Sequence, residues 1–274
     1  MNSMQPADTS KQDVQDFWQR ASCGEDLYLT GLDRAGYEEQ ARERYRLEPY
    51  IEDFAEFDAA ANLDVLEIGV GLGADHQRFA AAGARLSGID LTQRAVDHAR
   101  RRLAQFGLES RVERGDAERL SFADASFDVV YSWGVIHHSP QTPRAVSEIH
   151  RVLRPGGVAR VMIYHKWSLV GYMLWLRYGL LRLRPWTTLA TIYSKYLESP
   201  GTKAYTIEQA RSMFSKFDKV EIETVLTHGD LLESAAGQRH RGALLSVARR
   251  LWPRALLRRL FAGHGLFMLI TARK

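Results

Sequence analysis

The sequence predicts an α/β fold built on a parallel sheet covered by helices on both faces. Three observations carry this reading. Short, nearly continuous apolar runs (LDVLEI, RLSGID, FDVVYSW) alternate with longer helical patterns, and a glycine-rich turn, GVGLG, follows the first run directly. Strands alternating with helices of this length imply right-handed crossovers, and runs apolar on both sides suit strands buried on both faces.

The elements follow in order. Residues 1–16 read as a frayed lead-in, and residues 17–60, aromatic and charged, read as helices punctuated by Gly31 and Gly36. LDVLEI is the first strand, ADHQRFAAAG a helix closed by Gly83, and RLSGID the second strand. Thr92 caps the helix TQRAVDHARRRLAQFG, which ends at Gly107. RVERGD and FDVVYSW are the third and fourth strands. TPRAVSEIHRVLRPGG starts as a helix on Pro143 and stops at Pro155-Gly156-Gly157. VARVMIYH is the fifth strand, TIEQARSMFSKF a helix, DKVEIETVL a strand and GLFMLITA the last one. Two insertions break the rhythm, 165–205 and 227–264.

Composition narrows the function. The chain has 274 residues, enough for one large domain with additions. Its one cysteine, Cys23, excludes an internal disulfide and a multi-cysteine zinc site, so no metal is expected and a reducing, cytoplasmic setting is. The polar N-terminus shows no signal peptide. Net charge is +4, but nine basic residues and no acid follow Glu233, which leaves 28 basic against 33 acidic residues before it. The body is mildly acidic, so no nucleic-acid partner is expected, while a local anionic partner for the tail is open.

Ligands of parallel α/β sheets bind beyond the carboxyl ends of the strands. Gly69 and Gly71 lie there and let the backbone approach a ligand closely. Asp90 ends the second strand, 23 residues after Glu67, where a carboxylate accepts both hydroxyls of a ribose. Asp116, just after the third strand, suits an adenine amino group, with the Ala117 N–H reaching a ring nitrogen. A dinucleotide site fits less well. The spacing is G-x-G-x-G rather than G-x-G-x-x-G, and Glu67 would repel a pyrophosphate.

LEIGVGLG, GIDLT, GDAERLSFADASFDVVYSWGVIHH and RVLRPGG, in this order and spacing across residues 63–164, strongly resemble the class I S-adenosylmethionine-dependent methyltransferases. The nearest branch is the one with quinone, sterol and other small-molecule enzymes. The resemblance implies a doubly wound, Rossmann-like, seven-stranded sheet with its last strand antiparallel. It implies Asp90 on the cofactor ribose, Asp116 on adenine, and Gly69 and Gly71 against the methionine part. Glu67, Gly73, Leu91, Ala117 and Trp133 complete the expected cofactor set. A lid (1–60) would cover a methyltransferase domain (61–274).

Methyl transfer from a sulfonium is an in-line displacement, in which the protein aligns the nucleophile and excludes water. A base is needed only for an acceptor with a tightly held proton. The candidates are His137 and His138 after the fourth strand, and Tyr164 and His165 after the fifth, each weighed against a packing or capping role. Tyr28, Tyr37, Arg44 and Tyr45 of the lid are set against simple packing in the same way. The apolar run Ser168–Leu181 is too short to span a bilayer and fits a hydrophobic wall over the acceptor or a surface helix dipping into lipid. The expected acceptor is a small, partly apolar or lipid-linked molecule methylated on O, C or N. Peripheral membrane contact through 240–262 and a homodimer are further expectations. The alternatives are a macromolecule (RNA or protein) methyltransferase and a cofactor-binding interfacial scaffold without turnover. The loop Glu198–Lys203 either closes over the site or only connects.

Overall fold

A computed structural model describes residues 10–233, 250 and 252–274. Its centre is a seven-stranded sheet: β1 (Asp64–Ile68), β2 (Arg85–Asp90), β3 (Arg111–Arg114), β4 (Phe127–Trp133), β5 (Leu153–Tyr164), β6 (Lys219–Val225) and β7 (Phe267–Arg273). The order is β3-β2-β1-β4-β5-β7-β6. β1 to β5 pair in parallel, while β7 runs antiparallel to both β5 and β6. The chain reverses its direction of travel across the sheet between β1 and β4. That switch point opens a crevice at the strand ends.

Burial explains the apolar runs. Val65, Leu66 and Ile68 of β1 are almost wholly buried. One face packs Leu66, Ile68, Val130, Val161 and Ile270 under the helix α7 (Thr142–Val152). The other packs Val65, Tyr131, Trp133 and Leu269 beneath aromatic residues of the N-terminal segment. α5 (Ala74–Ala81) and α6 (Gln93–Gln105) flank β1 and β2, and Thr92 caps α6 through the Ala95 N–H.

The N-terminal segment folds onto this body as α1 (Lys11–Arg20), α2 (Glu25–Tyr28), α3 (Arg34–Leu47) and α4 (Tyr50–Ala55). The lead-in is shorter than expected. Ser10 and Asp13 form a reciprocal capping box that starts α1 at Lys11, inside the stretch read as frayed. Arg102 of α6 is fully buried and ties α3 to the body. It donates to Gln40 and to the carbonyls of Tyr37 and Leu72, and also to Gln77 of α5.

The helix stop at Pro155-Gly156-Gly157 needs correction. α7 ends at Val152, and the proline and glycines lie inside β5, with Gly156 at φ +82°. Leu153 already pairs with Phe127, and a register shift absorbs the extra residues.

The first insertion holds α8 (Leu169–Tyr178), a 3-10 turn (Leu180–Arg182) and α9 (Leu189–Tyr196). α10 (Ile207–Met213) follows on a Thr206 capping box. From the second insertion the structure describes 227–233, 250, 252–264 and the helix α11 (Arg254–Leu260). Most of the helical candidate ALLSVARRLW, and much of the expected membrane contact 240–262, lie outside the described residues.

Candidate active site

The glycine turn and the end of β2 meet as anticipated. The Asp90 carboxylate accepts the Gly71 N–H at 3.3 Å with one oxygen, and the Thr92 N–H and hydroxyl, both at 2.9 Å, with the other. Burial raises its pKa above the ordinary carboxylate value, against the pull of those donors. A desolvated acid fixed by three donors keeps acceptor capacity for a diol. Gly71 sits at φ +50°, and a Cβ there would meet nothing within 4 Å, so the turn borders open space. Gly69 is different. A Cβ there would lie 2.1 Å from Val135, so this glycine admits the loop after β4. At Gly73 a Cβ would come 3.0 Å from Ala99 of α6, a packing reason for the glycine.

Glu67 is buried and bonded to His76 Nδ1 at 2.7 Å. His76 in turn contacts Ser110 at 2.8 Å. Burial drives the His76 pKa down to about 3 and pushes Glu67 well above the ordinary value. The pair therefore holds a neutral hydrogen bond.

At the end of β3, Asp116 holds the Glu118 N–H at 2.9 Å with one oxygen. Its other oxygen takes the Lys11 ammonium at 2.6 Å, and Lys11 also reaches Glu118 at 2.7 Å. Seven residues further along α1, the Trp18 ring lies edge-on to His138, 5.4 Å between centroids. α1 thus runs from the expected adenine end to the expected methyl end.

β4 and β5 bring His137, His138 and Tyr164 together. The His137 ring is 4.2 Å from that of His138 and 4.0 Å from that of Tyr164. His138 Nδ1 contacts the hydroxyls of Ser199 at 2.8 Å and Thr202 at 3.1 Å, while Nε2 is 3.4 Å from Glu198. Tyr164 donates to the same Glu198 oxygen at 2.6 Å. The loop Glu198–Lys203 therefore packs onto His138 and Tyr164 rather than only connecting. Glu198, about a third exposed, is the accessible member, with His138 buried behind it. His137, His138 and Glu198 bring ligand-type atoms within 4.8 Å of one another, close enough for a cation in principle. His137 is wholly buried with both ring nitrogens unpartnered, and burial drives its pKa well below the ordinary value.

His165 does not join them. Just beyond the end of β5, it bridges to Tyr205 in parallel, and its Nδ1 meets the Gly265 carbonyl at 3.3 Å. Strand alternation separates it from Tyr164.

Three residues named from the sequence (Trp133, Arg44 and Tyr45) and others that sequence reasoning missed (Glu48, Tyr50, Phe54, Asp75, Tyr131 and Phe267) complete the walls. Trp133 stacks near Tyr50 and contacts Phe54 and Phe267, and its side chain bonds to Glu48. Burial lifts the Glu48 pKa to about 7. Arg44, 3.4 Å from Glu48, makes a two-pronged bond to Asp75, which also accepts the Tyr45 and Tyr131 hydroxyls. Cys23 is exposed.

Residues 66–161 match the family model described as a methyltransferase domain. The 27-O-demethylrifamycin SV methyltransferase of Amycolatopsis mediterranei is 38% identical over 96 residues, 34% of this chain and 35% of that protein. Phosphoethanolamine N-methyltransferase 2 of Caenorhabditis elegans is 32% identical over 162 residues, 56% of this chain and 35% of its own length. The chain thus spans about a third of the length of these curated relatives. Among solved structures, the phosphoethanolamine N-methyltransferase 2 of Haemonchus contortus, bound to phosphomonomethylethanolamine and S-adenosylhomocysteine, aligns with a TM-score of 0.61 at 20% identity. The alignment covers 95% of this chain and 60% of that one, a likeness of fold.

Proposed function

We propose that this chain, which carries a class I S-adenosylmethionine-dependent methyltransferase domain, moves the methyl group to a hydroxyl or amine of a small, partly apolar acceptor. S-adenosylmethionine supplies an electrophilic methyl on a sulfonium, and the residues present fit it. Asp90 is a buried, pre-oriented acceptor for a ribose diol, and Gly71 borders the space such a ligand needs. Asp116 is an acceptor for an adenine amine once Lys11 yields one oxygen.

At the acceptor end, Glu198 is the accessible carboxylate. It takes the proton of the acceptor group, with His138 and Tyr164 holding it from behind. Ser199 and Thr202 fix the His138 ring through Nδ1. Trp133, Tyr50 and Phe267 offer an aromatic wall for the apolar part, and Trp18 with the rest of α1 excludes water. The single observation that carries this reading is the Asp90 carboxylate, desolvated and bonded to the glycine turn, at the mouth of the switch point. The lid over 1–60 and the domain 61–274 belong to the same proposal.

Calorimetry with S-adenosylhomocysteine, and with NAD as control, tests the cofactor. Saturable binding of the first alone is expected, and binding of NAD alone would overturn the reading. Transfer of labelled methyl to hydroxylated and amino-bearing apolar compounds then tests the acceptor. Turnover only on carbon nucleophiles would remove the base role of Glu198.

A further inference from the structure

Among the described residues nine large hydrophobic side chains are exposed, and six of them fall between Trp167 and Trp186. Leu183 is 83% exposed, Trp186 76% and Leu181 64%, with Trp167, Leu176 and Leu180 close to half. Trp167 leads into α8, Leu176 lies on α8, and the other four lie between α8 and α9, which pack against each other. Residues 166–195 carry Lys166, Arg177, Arg182, Arg184 and Lys195, and no acid occurs from residue 149 to residue 197.

The exposure is built in. The Trp175 indole donates to the Thr187 carbonyl at 2.9 Å, and the Arg184 N–H donates to the Gly179 carbonyl at 2.9 Å. Tyr178 of α8 and Tyr196 of α9 stack face to face, 4.0 Å between centroids. Leu183 holds φ +56°, a conformation that a leucine rarely adopts, at the tip of the turn. These bonds close the turn on itself while leucines and tryptophans stay outside. Exposed apolar surface of this density marks an interaction site.

We propose that this hairpin tip is a docking surface for an anionic phospholipid bilayer, with leucines and tryptophans entering the interface and the cations on the headgroups. Charge selects this occupant. A second copy meeting the same patch across a two-fold axis would set five cations against five cations. An anionic bilayer complements them, and tryptophan with arginine beside leucine is the make-up of interfacial segments. α8 has ten residues, and no described helix is long and apolar enough to cross a membrane, so the contact is peripheral. The hairpin leaves β5 just after Tyr164 and returns at Glu198, so both of its roots are residues of the candidate site. Docking would set that site beside the lipid surface. The surface lies apart from 240–262 and takes up the lipid reading of the run Ser168–Leu181, with the exposed residues centred on the turn after α8.

Vesicle co-sedimentation of the full chain tests this without any cofactor, so it stands or falls apart from methyl transfer. Phosphatidylcholine vesicles doped with phosphatidylglycerol should bind the protein, and added salt should weaken the binding. Leu183→Glu with Trp186→Glu should lose about tenfold or more in vesicle affinity, while S-adenosylhomocysteine affinity and the circular dichroism spectrum stay unchanged. Arg182→Gln with Arg184→Gln should lower the preference for doped over undoped vesicles, and an unchanged preference would count against the charge argument. Absence of binding to doped vesicles by folded wild-type protein would overturn the proposal. So would a dimer, formed without lipid and dissolved by the Leu183 and Trp186 substitutions, because the patch would then belong to a second copy.

Discussion

The Lys11 ammonium lies 2.6 Å from the Asp116 carboxylate, the group expected to receive an adenine amine. The first helix thus places a cation on the carboxylate proposed to receive the adenine amine. Both side chains are about one third exposed, so the pair is worth at most about 1 kcal/mol.

Replacing Lys11 by Met should therefore tighten S-adenosylhomocysteine binding, by up to about fivefold, and reduce its dependence on salt. Calorimetry at two ionic strengths reads both. A weaker complex would show instead that Lys11 helps to hold the ligand.

Asp90→Ala removes the acceptor held by Gly71 and Thr92. Each charged hydrogen bond to a ribose hydroxyl is worth about 1.5–3 kcal/mol, so affinity should fall at least about tenfold. Unchanged affinity would take Asp90 out of the site.

Glu198→Gln should lower kcat by about a hundredfold or more with cofactor affinity intact, because the loss lies in proton removal. His138→Asn should lower kcat less and alter the pH profile, since it acts through Glu198. Equal turnover in Glu198→Gln would assign the Glu198 network to packing alone.

Glu48 predicts a pH dependence of stability. Burial raises its pKa from 4.5 in the unfolded chain to about 7 in the folded one. The folded protein therefore keeps a proton that the unfolded chain gives up. Its stabilisation is complete below pH 4.5 and is lost as pH rises through 7, about 3 kcal/mol at most. Urea titrations from roughly pH 5 to 8 should show the decline, and Glu48→Gln should flatten it. A slope unchanged in the variant would point to another group.

Arg102→Met leaves Gln40 and the Tyr37 carbonyl buried without their donor. A loss of about 2–4 kcal/mol in unfolding free energy is expected, together with faster proteolysis of the lid. A loss below about 1 kcal/mol would show that aromatic packing alone holds the lid.

Much of the site was legible in linear order because its chemistry is local. The turn around Gly69 and Gly71 and the carboxylate at Asp90 follow strand ends, and in a parallel α/β sheet strand ends line the crevice. The helix at Thr92 and the strand burial follow from capping and apolar runs. Tyr164 and His165 could not be told apart, because neighbouring strand residues face opposite sides and the register with β7 decides which side meets His137.

Lys11 and Asp116 are 105 residues apart, and His138 and Ser199 are 61 apart. Spacing carries no information over such lengths, because the contact exists only once the lid and the hairpin have packed. The same holds for Glu48 against Trp133. Local periodicity and turn chemistry were therefore enough for the sheet, its flanking helices and the meeting of the glycine turn with Asp90. The grouping of His138, Tyr164 and Glu198 and the outward face of the hairpin depend on long-range packing, which sets burial, and burial sets both the proton affinities and the surface left exposed.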